Sequence, residues 1–180
     1  MKCPSCKNVE LVPSFIEGRF RSHKCGKCNG NWLLIEDYVG WVERNKGELK
    51  QADAEYHLEE SKGALICPVT GTIMQKFRIN NDTSHKLDYS PKIGGVWLDA
   101  GEWEYLKDQG IAGSLNRIFT EQWQRQLREN DTRATLEQLY ISKFGEADYA
   151  RLKELRDWLD GKENKAEMRA FLLAEDPYSV

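Results

Sequence analysis

Four of the five cysteines in this chain fall into two tight pairs, Cys3-Pro4-Ser5-Cys6 and Cys25-Gly26-Lys27-Cys28, and no other feature constrains the fold as much. Two residues between cysteines let the backbone turn so that both sulfurs point at one centre. Two such knuckles at opposite ends of a hairpin complete a tetrahedron of thiolates. Residues 7–24 separate the pairs, a spacing within the range of zinc sites. Four thiolates leave no open coordination position. Cys3, Cys6, Cys25 and Cys28 are therefore expected to hold one structural zinc ion, in place of a core that a ribbon of about 40 residues cannot build alone. The rival readings are a pair of redox dithiols and an iron–sulfur cluster, but a single redox pair needs no partner pair and clusters use other spacings. Cys67 stands outside the set.

The 180 residues are 40% hydrophobic with no apolar run long enough to cross a bilayer, so no membrane partner is expected. Met1 is followed at once by Lys2 and the first cysteine pair, which leaves no room for a leader, and paired free thiols suit a reducing compartment. The expected location is cytoplasmic. Twenty-six basic and 29 acidic side chains give a net charge of −3, without the positive field of a dedicated duplex-DNA binder. The first 32 residues are mildly basic, with six basic against two acidic side chains. From Ser114 onward, 11 basic and 13 acidic residues are interspersed, as on solvated helix faces.

An internal repeat organises the first 110 residues or so. Cys3-Pro4-Ser5-Cys6 recurs as Cys67-Pro68-Val69-Thr70, and the stretch from Cys25 to Leu33 recurs from Ser90 to Leu98, with the tryptophans Trp32 and Trp97 in register. In the second copy Thr70, Ser90 and Ile93 replace three ligands. Each copy is expected to form two short strands and a helix. The first hairpin turns at Glu17-Gly18; the second carries Ile73, Phe77 and Ile79 at period two, turns at Asn80-Asn81-Asp82 and returns through Leu87 and Tyr89. Helices are expected through Ile35, Tyr38, Val39 and Val42, and through Trp103 and Leu106 to Gly110. Without an ion, the second copy needs Ile73, Phe77, Ile79, Ile93 and Trp97 to pack against the first ribbon or the C-terminal helices. A relic metal site of Cys67, His85 and Asp88 is the rival, without a recognised spacing.

The C-terminal third has helical periodicity throughout. Leu115, Ile118, Phe119, Gln122 and Trp123 follow Ser114 as N-cap. Leu136, Leu139, Tyr140 and Phe144 end at Gly145; Tyr149, Leu152, Leu155, Trp158 and Leu159 end at Gly161; Met168, Phe171 and Leu172 run on towards Pro177. Such stripes are expected to be core. The fold class is thus α+β: an N-terminal zinc ribbon, a second metal-free ribbon-like repeat, and a C-terminal α-helical region. The expected division is 1–46, a linker or short exposed helix at 47–63, the degenerate repeat at 64–112 and the helices at 113–180.

These residues resemble the transcription-factor zinc-finger family, named for its likeness to the zinc ribbon of transcription factor IIB. The first copy is similar through Cys3, Pro4, Cys6, Cys25, Cys28, Gly30, Trp32 and Leu33, but carries Leu34-Ile35-Glu36-Asp37 where the family shows Asp-x-Gly-Glu. The second is similar through Gly95, Trp97, Leu98, Asp99, Gly101 and Glu102 and lacks the metal half. The resemblance implies zinc binding at the four cysteines. The family name records a structural likeness and does not by itself imply transcription.

Arg19, Phe20, Arg21 and Lys24 place basic and aromatic side chains beside the ribbon hairpin, a combination that can grip phosphates and stack bases; the plainer reading is a solvated strand with Phe20 covering the hairpin. His23 has no vacancy to fill at a complete cysteine set. Three histidines, none in catalytic spacing, and no glycine-rich phosphate loop lead to the expectation that the chain is not an enzyme. The expected function is a non-catalytic protein-interaction module or adaptor with a protein partner, and the alternative is a nucleic-acid-binding or transcription-associated regulator using the basic hairpin.

Overall fold

A computed structural model describes residues 1–45 and 56–178. It divides into two compact units, Met1–Glu129 and Asn130–Val180. The architecture is α+β, as expected.

The first unit is built on a six-stranded antiparallel sheet of order β1-β2-β3-β6-β5-β4, from β1 (Leu11–Ile16), β2 (Phe20–Cys25), β3 (Asn31–Leu34), β4 (Gln75–Arg78), β5 (Lys86–Ser90) and β6 (Gly95–Leu98). The β1–β2 turn closes with the Arg19 N–H on the Ile16 carbonyl at 3.0 Å, with Glu17 and Gly18 both at positive φ, the hand that suits a hairpin. The two hairpin halves join at their third strands. Trp32 stands opposite Trp97 and Leu33 opposite Val96, so the expected ribbon and the expected repeat share one sheet. Strand and helix order repeats: β3 runs into α1 (Ile35–Val42) and β6 leads to α2 (Glu102–Asp108).

The period of two in β3 and β6 sends alternate residues to opposite faces. Leu33, Val96 and Leu98 join Phe20, Tyr38, Trp41, Trp103 and Leu106 in the core on the helix side. Trp32 and Trp97 join Leu11, Leu65, Cys67, Met74 and the zinc-site Cys3 and Cys25 on the other. Each of these large apolar side chains contributes roughly 1.5–3 kcal/mol by leaving water. Of the side chains expected to replace the second ion, Trp97 and Ile79 are buried, and Phe77 and Ile93 are partly buried. Ile73 is not among them, being 66% exposed, because it precedes β4 and bridges only to Ile66 at the open side.

After α2 a 3-10 turn at Ala112–Ser114 leads to α3 (Leu115–Ile118) and α4 (Glu121–Phe144). The single helix expected through Trp123 is broken at Thr120, whose hydroxyl accepts the Trp123 N–H at 3.3 Å and so caps α4. Ser114 makes no side-chain cap. Trp123 Nε1 donates to the Ile79 carbonyl at 3.0 Å and Gln124 Nε2 to that of Arg78 at 2.8 Å, fixing the start of α4 to the end of β4.

Of the expected linker, residues 47–55 lie outside the described residues. Residues 56–61 are extended coil along the start of α2, where the Glu59 N–H donates to the Ala100 carbonyl at 3.0 Å. Gly101, at φ +84°, leaves no room for a Cβ beneath the His57 carbonyl.

The second unit contains the end of α4, then α5 (Glu146–Asp160) and α6 (Lys165–Leu173), with Gly145 and Gly161 at the expected breaks. Its stripes are not core. Leu159 is buried, whereas Leu136, Leu139, Tyr140, Phe144, Leu152, Leu155 and Trp158 are all exposed. Periodicity orders an apolar face without stating what covers it, and this unit supplies no second layer.

Candidate metal centre

The first knuckle, ahead of β1, carries Cys3 and Cys6. The second, between β2 and β3, carries Cys25 and Cys28, and the hairpin brings the two together. All four sulfurs lie within 4.8 Å of one another. Cys3 Sγ to Cys28 Sγ is 3.6 Å and Cys25 Sγ to Cys6 Sγ is 3.9 Å. A zinc–sulfur bond of about 2.3 Å places tetrahedral sulfurs about 3.8 Å apart, so the set fits zinc without rearrangement.

The backbone supports negative sulfur. The Cys6 N–H donates to Cys3 Sγ at 3.2 Å, and Lys7 and Asn29, each just past a knuckle, take positive φ so that the chain can turn there. Burial pushes the Cys3 thiol up to about 11 and raises Cys28 too. At Cys25 burial acts in the same direction, but the N–H groups of Cys28 and Lys27 outweigh it and hold that thiol at about 7. Four thiolates this close need a cation, and the cation displaces the protons. Among the described residues these cysteines are the one group of metal-ligating side chains that could hold an ion. Four protein sulfurs complete the coordination sphere, so its role is to hold the ribbon together.

The relic site of Cys67, His85 and Asp88 is not assembled. Lys76 Nζ takes Asp88 at 2.8 Å, and His85 Nε2 stands 2.5 Å from Glu102 Oε1. The backbone there nevertheless turns as it does at the two cysteine knuckles. The Thr70 N–H points at Cys67 Sγ at 3.4 Å, as Cys6 does at Cys3, and Gly71 and Gly94 take the positive φ of Lys7 and Asn29.

Asp99 and Glu102, which the sequence marks only through the family resemblance, form a buried polar hub. Asp99 Oδ1 accepts from Trp97 Nε1 at 2.7 Å and from Ser5 Oγ at 3.2 Å, and Oδ2 accepts the Ser61 N–H at 2.7 Å. Glu102 Oε2 accepts the Asp99 N–H at 2.8 Å. Ser5 belongs to the first zinc knuckle, so the hub ties the metal site to β6 and the start of α2. The legible signal was the Asp99-x-Gly101-Glu102 stretch of the family resemblance, in which Glu102 reaches back to the Asp99 N–H while the Asp99 carboxylate turns to Trp97, Ser5 and Ser61.

The expected contact residues do not form one surface. Phe20 is 3% exposed, packed with Tyr38, Trp41 and Trp103. Arg21 and Lys24 are exposed, but the strand alternation sends them to opposite faces. Arg19 lies at the turn, its guanidinium 5.8 Å from the Trp41 ring centre. His23 pairs in the sheet opposite Pro13 and Trp32.

No helix among the described residues is long and apolar enough to cross a membrane. No curated protein and no solved structure matches the chain. Residues 2–44, which span both knuckles, the hairpin, β3 and α1, match the family model described as transcription factor zinc-finger. This N-terminal domain is thus similar to the zinc ribbon of that family, and its four cysteines form the site of one structural zinc ion.

Proposed function

We propose that the chain is a cytoplasmic, non-catalytic protein-interaction module in which a zinc ribbon and a second, metal-free ribbon form a rigid sheet carrying an exposed helical region. The observation that carries this reading is the helical unit Asn130–Val180, whose helices leave their apolar stripes open. Open stripes of this kind mark surfaces that a protein partner covers.

The retained knuckle backbone at Cys67–Gly71 and Ser90–Gly94 supports the second ribbon as a former metal site. The nucleic-acid alternative loses its stacking ring, because Phe20 is inside.

Affinity capture with the full zinc-loaded chain, compared with a variant carrying Leu136→Glu and Leu152→Glu, tests the reading. Proteins retained by the wild type and lost by the variant are expected. Equal capture by both would contradict it.

A further inference from the structure

We infer that residues 57–61 form a latch on the zinc site, held closed through Ser5, and that the closed latch strengthens the hold on the ion. This goes beyond the protein-interaction reading and does not depend on it. None of residues 56–61 is buried, so this strap gains little from apolar packing. A segment with few buried apolar contacts opens locally at a lower free energy than the sheet beneath it. Polar contacts are what close it. The Glu59 N–H donates to the Ala100 carbonyl at 3.0 Å, and Lys76 Nζ donates to the Ser61 carbonyl at 2.7 Å. His85 Nδ1 stands 3.9 Å from Glu60 Oε2.

The remaining contacts close a ring with the first knuckle. Ser5 lies between the ligands Cys3 and Cys6. Its hydroxyl has one hydrogen, which goes to Asp99 Oδ1 at 3.2 Å. The Ser61 hydroxyl, 3.1 Å from Ser5 Oγ, must then be the donor to it, while the Ser61 N–H donates to Asp99 Oδ2 at 2.7 Å. Knuckle and strap thus meet on one carboxylate, which is 7% exposed and also accepts from Trp97 Nε1. With so little water present, the bonds of the ring polarise and strengthen one another. Zinc fixes the four-residue turn that presents Ser5, so the ion favours the closed strap. Such coupling is reciprocal, and the closed strap favours the bound ion by the same factor. Ser61 supplies no ligand atom, yet it belongs to what retains the metal.

Hydrogen exchange of the full zinc-loaded chain, followed residue by residue, tests one direction of the coupling. Equilibrium competition for zinc with a metal-indicating chelator tests the other. Ser5→Ala should quicken exchange at the Glu59 and Ser61 amides by about two- to tenfold, the range for one lost hydrogen bond. Leu33 and Val96 in the central strands should keep their rates, with one zinc ion still bound. Ser61→Ala, which leaves Ser5 and all four cysteines in place, should weaken zinc affinity by a similar factor of about two to ten. Wild-type exchange at Glu59 and Ser61 in the Ser5→Ala chain overturns the inference, as does wild-type zinc affinity in the Ser61→Ala chain. Exchange quickened equally in the strap and in the central strands overturns it too, because Ser5 would then support the whole sheet and not the latch.

Discussion

Trp32 and Trp97 stand opposite each other on the central strand pair, and each indole lies over a glycine of the other half, Trp97 over Gly30 and Trp32 over Gly95. The two halves are therefore interlocked through their tryptophans, at positions where any side chain on the glycine would overlap an indole ring.

Gly30→Ala is expected to destabilise the first unit by about 1–3 kcal/mol, the range for overpacking a filled site, and Gly95→Ala by a similar amount. Gly26→Ala is the control, since a Cβ there meets nothing within 4 Å. Urea midpoints of the three variants, measured with zinc saturated, check this. Equal midpoints for Gly26→Ala and Gly30→Ala would show that the indole does not fill the space.

Tyr38 joins α1 to the turn before α3, its hydroxyl donating to the Ala112 carbonyl at 2.6 Å and accepting the Leu115 N–H at 3.1 Å. Tyr38→Phe leaves both buried backbone groups without a partner, and a loss of about 1–3 kcal/mol is expected. Calorimetry should record the lower transition temperature, and hydrogen exchange should show earlier opening at Leu115.

The His85–Glu102 pair makes stability depend on pH. Burial pushes His85 down, but the neighbouring Glu102 more than reverses this and leaves its pKa raised. Burial raises Glu102 to about 7 against the opposing pull of His85. Both groups hold protons more tightly folded than unfolded. The His85 contribution is complete below its unfolded pKa and fades as pH rises through the folded value. Glu102 adds to the decline as pH rises from 4.5 towards 7. The zinc-saturated chain should therefore lose stability as pH rises from about 4.5 to about 7, and the His85 share should go on falling above its ordinary value of 6.5. Glu102→Gln keeps an acceptor for Asp99 and a donor for His85, and it should flatten that slope. A wild-type profile that rises over this window would contradict the assignment.

Legibility in the sequence followed how local each determinant is. Cys3, Cys6, Cys25 and Cys28 were readable because chelation imposes short spacings. Gly145 and Gly161 were readable as breaks because they interrupt a periodic face. The pairing of β3 with β6 was not, since strand alternation reports which face a residue takes and not its neighbouring strand. The break at Thr120 was missed because an apolar period ran across it, although a threonine three residues before Trp123 is itself a cap signal. Phe20 shares its inward face with Ser22, so its burial was accessible from alternation alone.

The most direct measurement is elemental analysis of freshly purified, unchelated chain alongside a count of reactive thiols. One zinc ion per chain is predicted, lost together with the sheet's cooperative unfolding when Cys25 or Cys28 becomes serine. A metal-free chain that keeps the same unfolding transition, or one whose paired cysteines are joined as disulfides, would contradict the account.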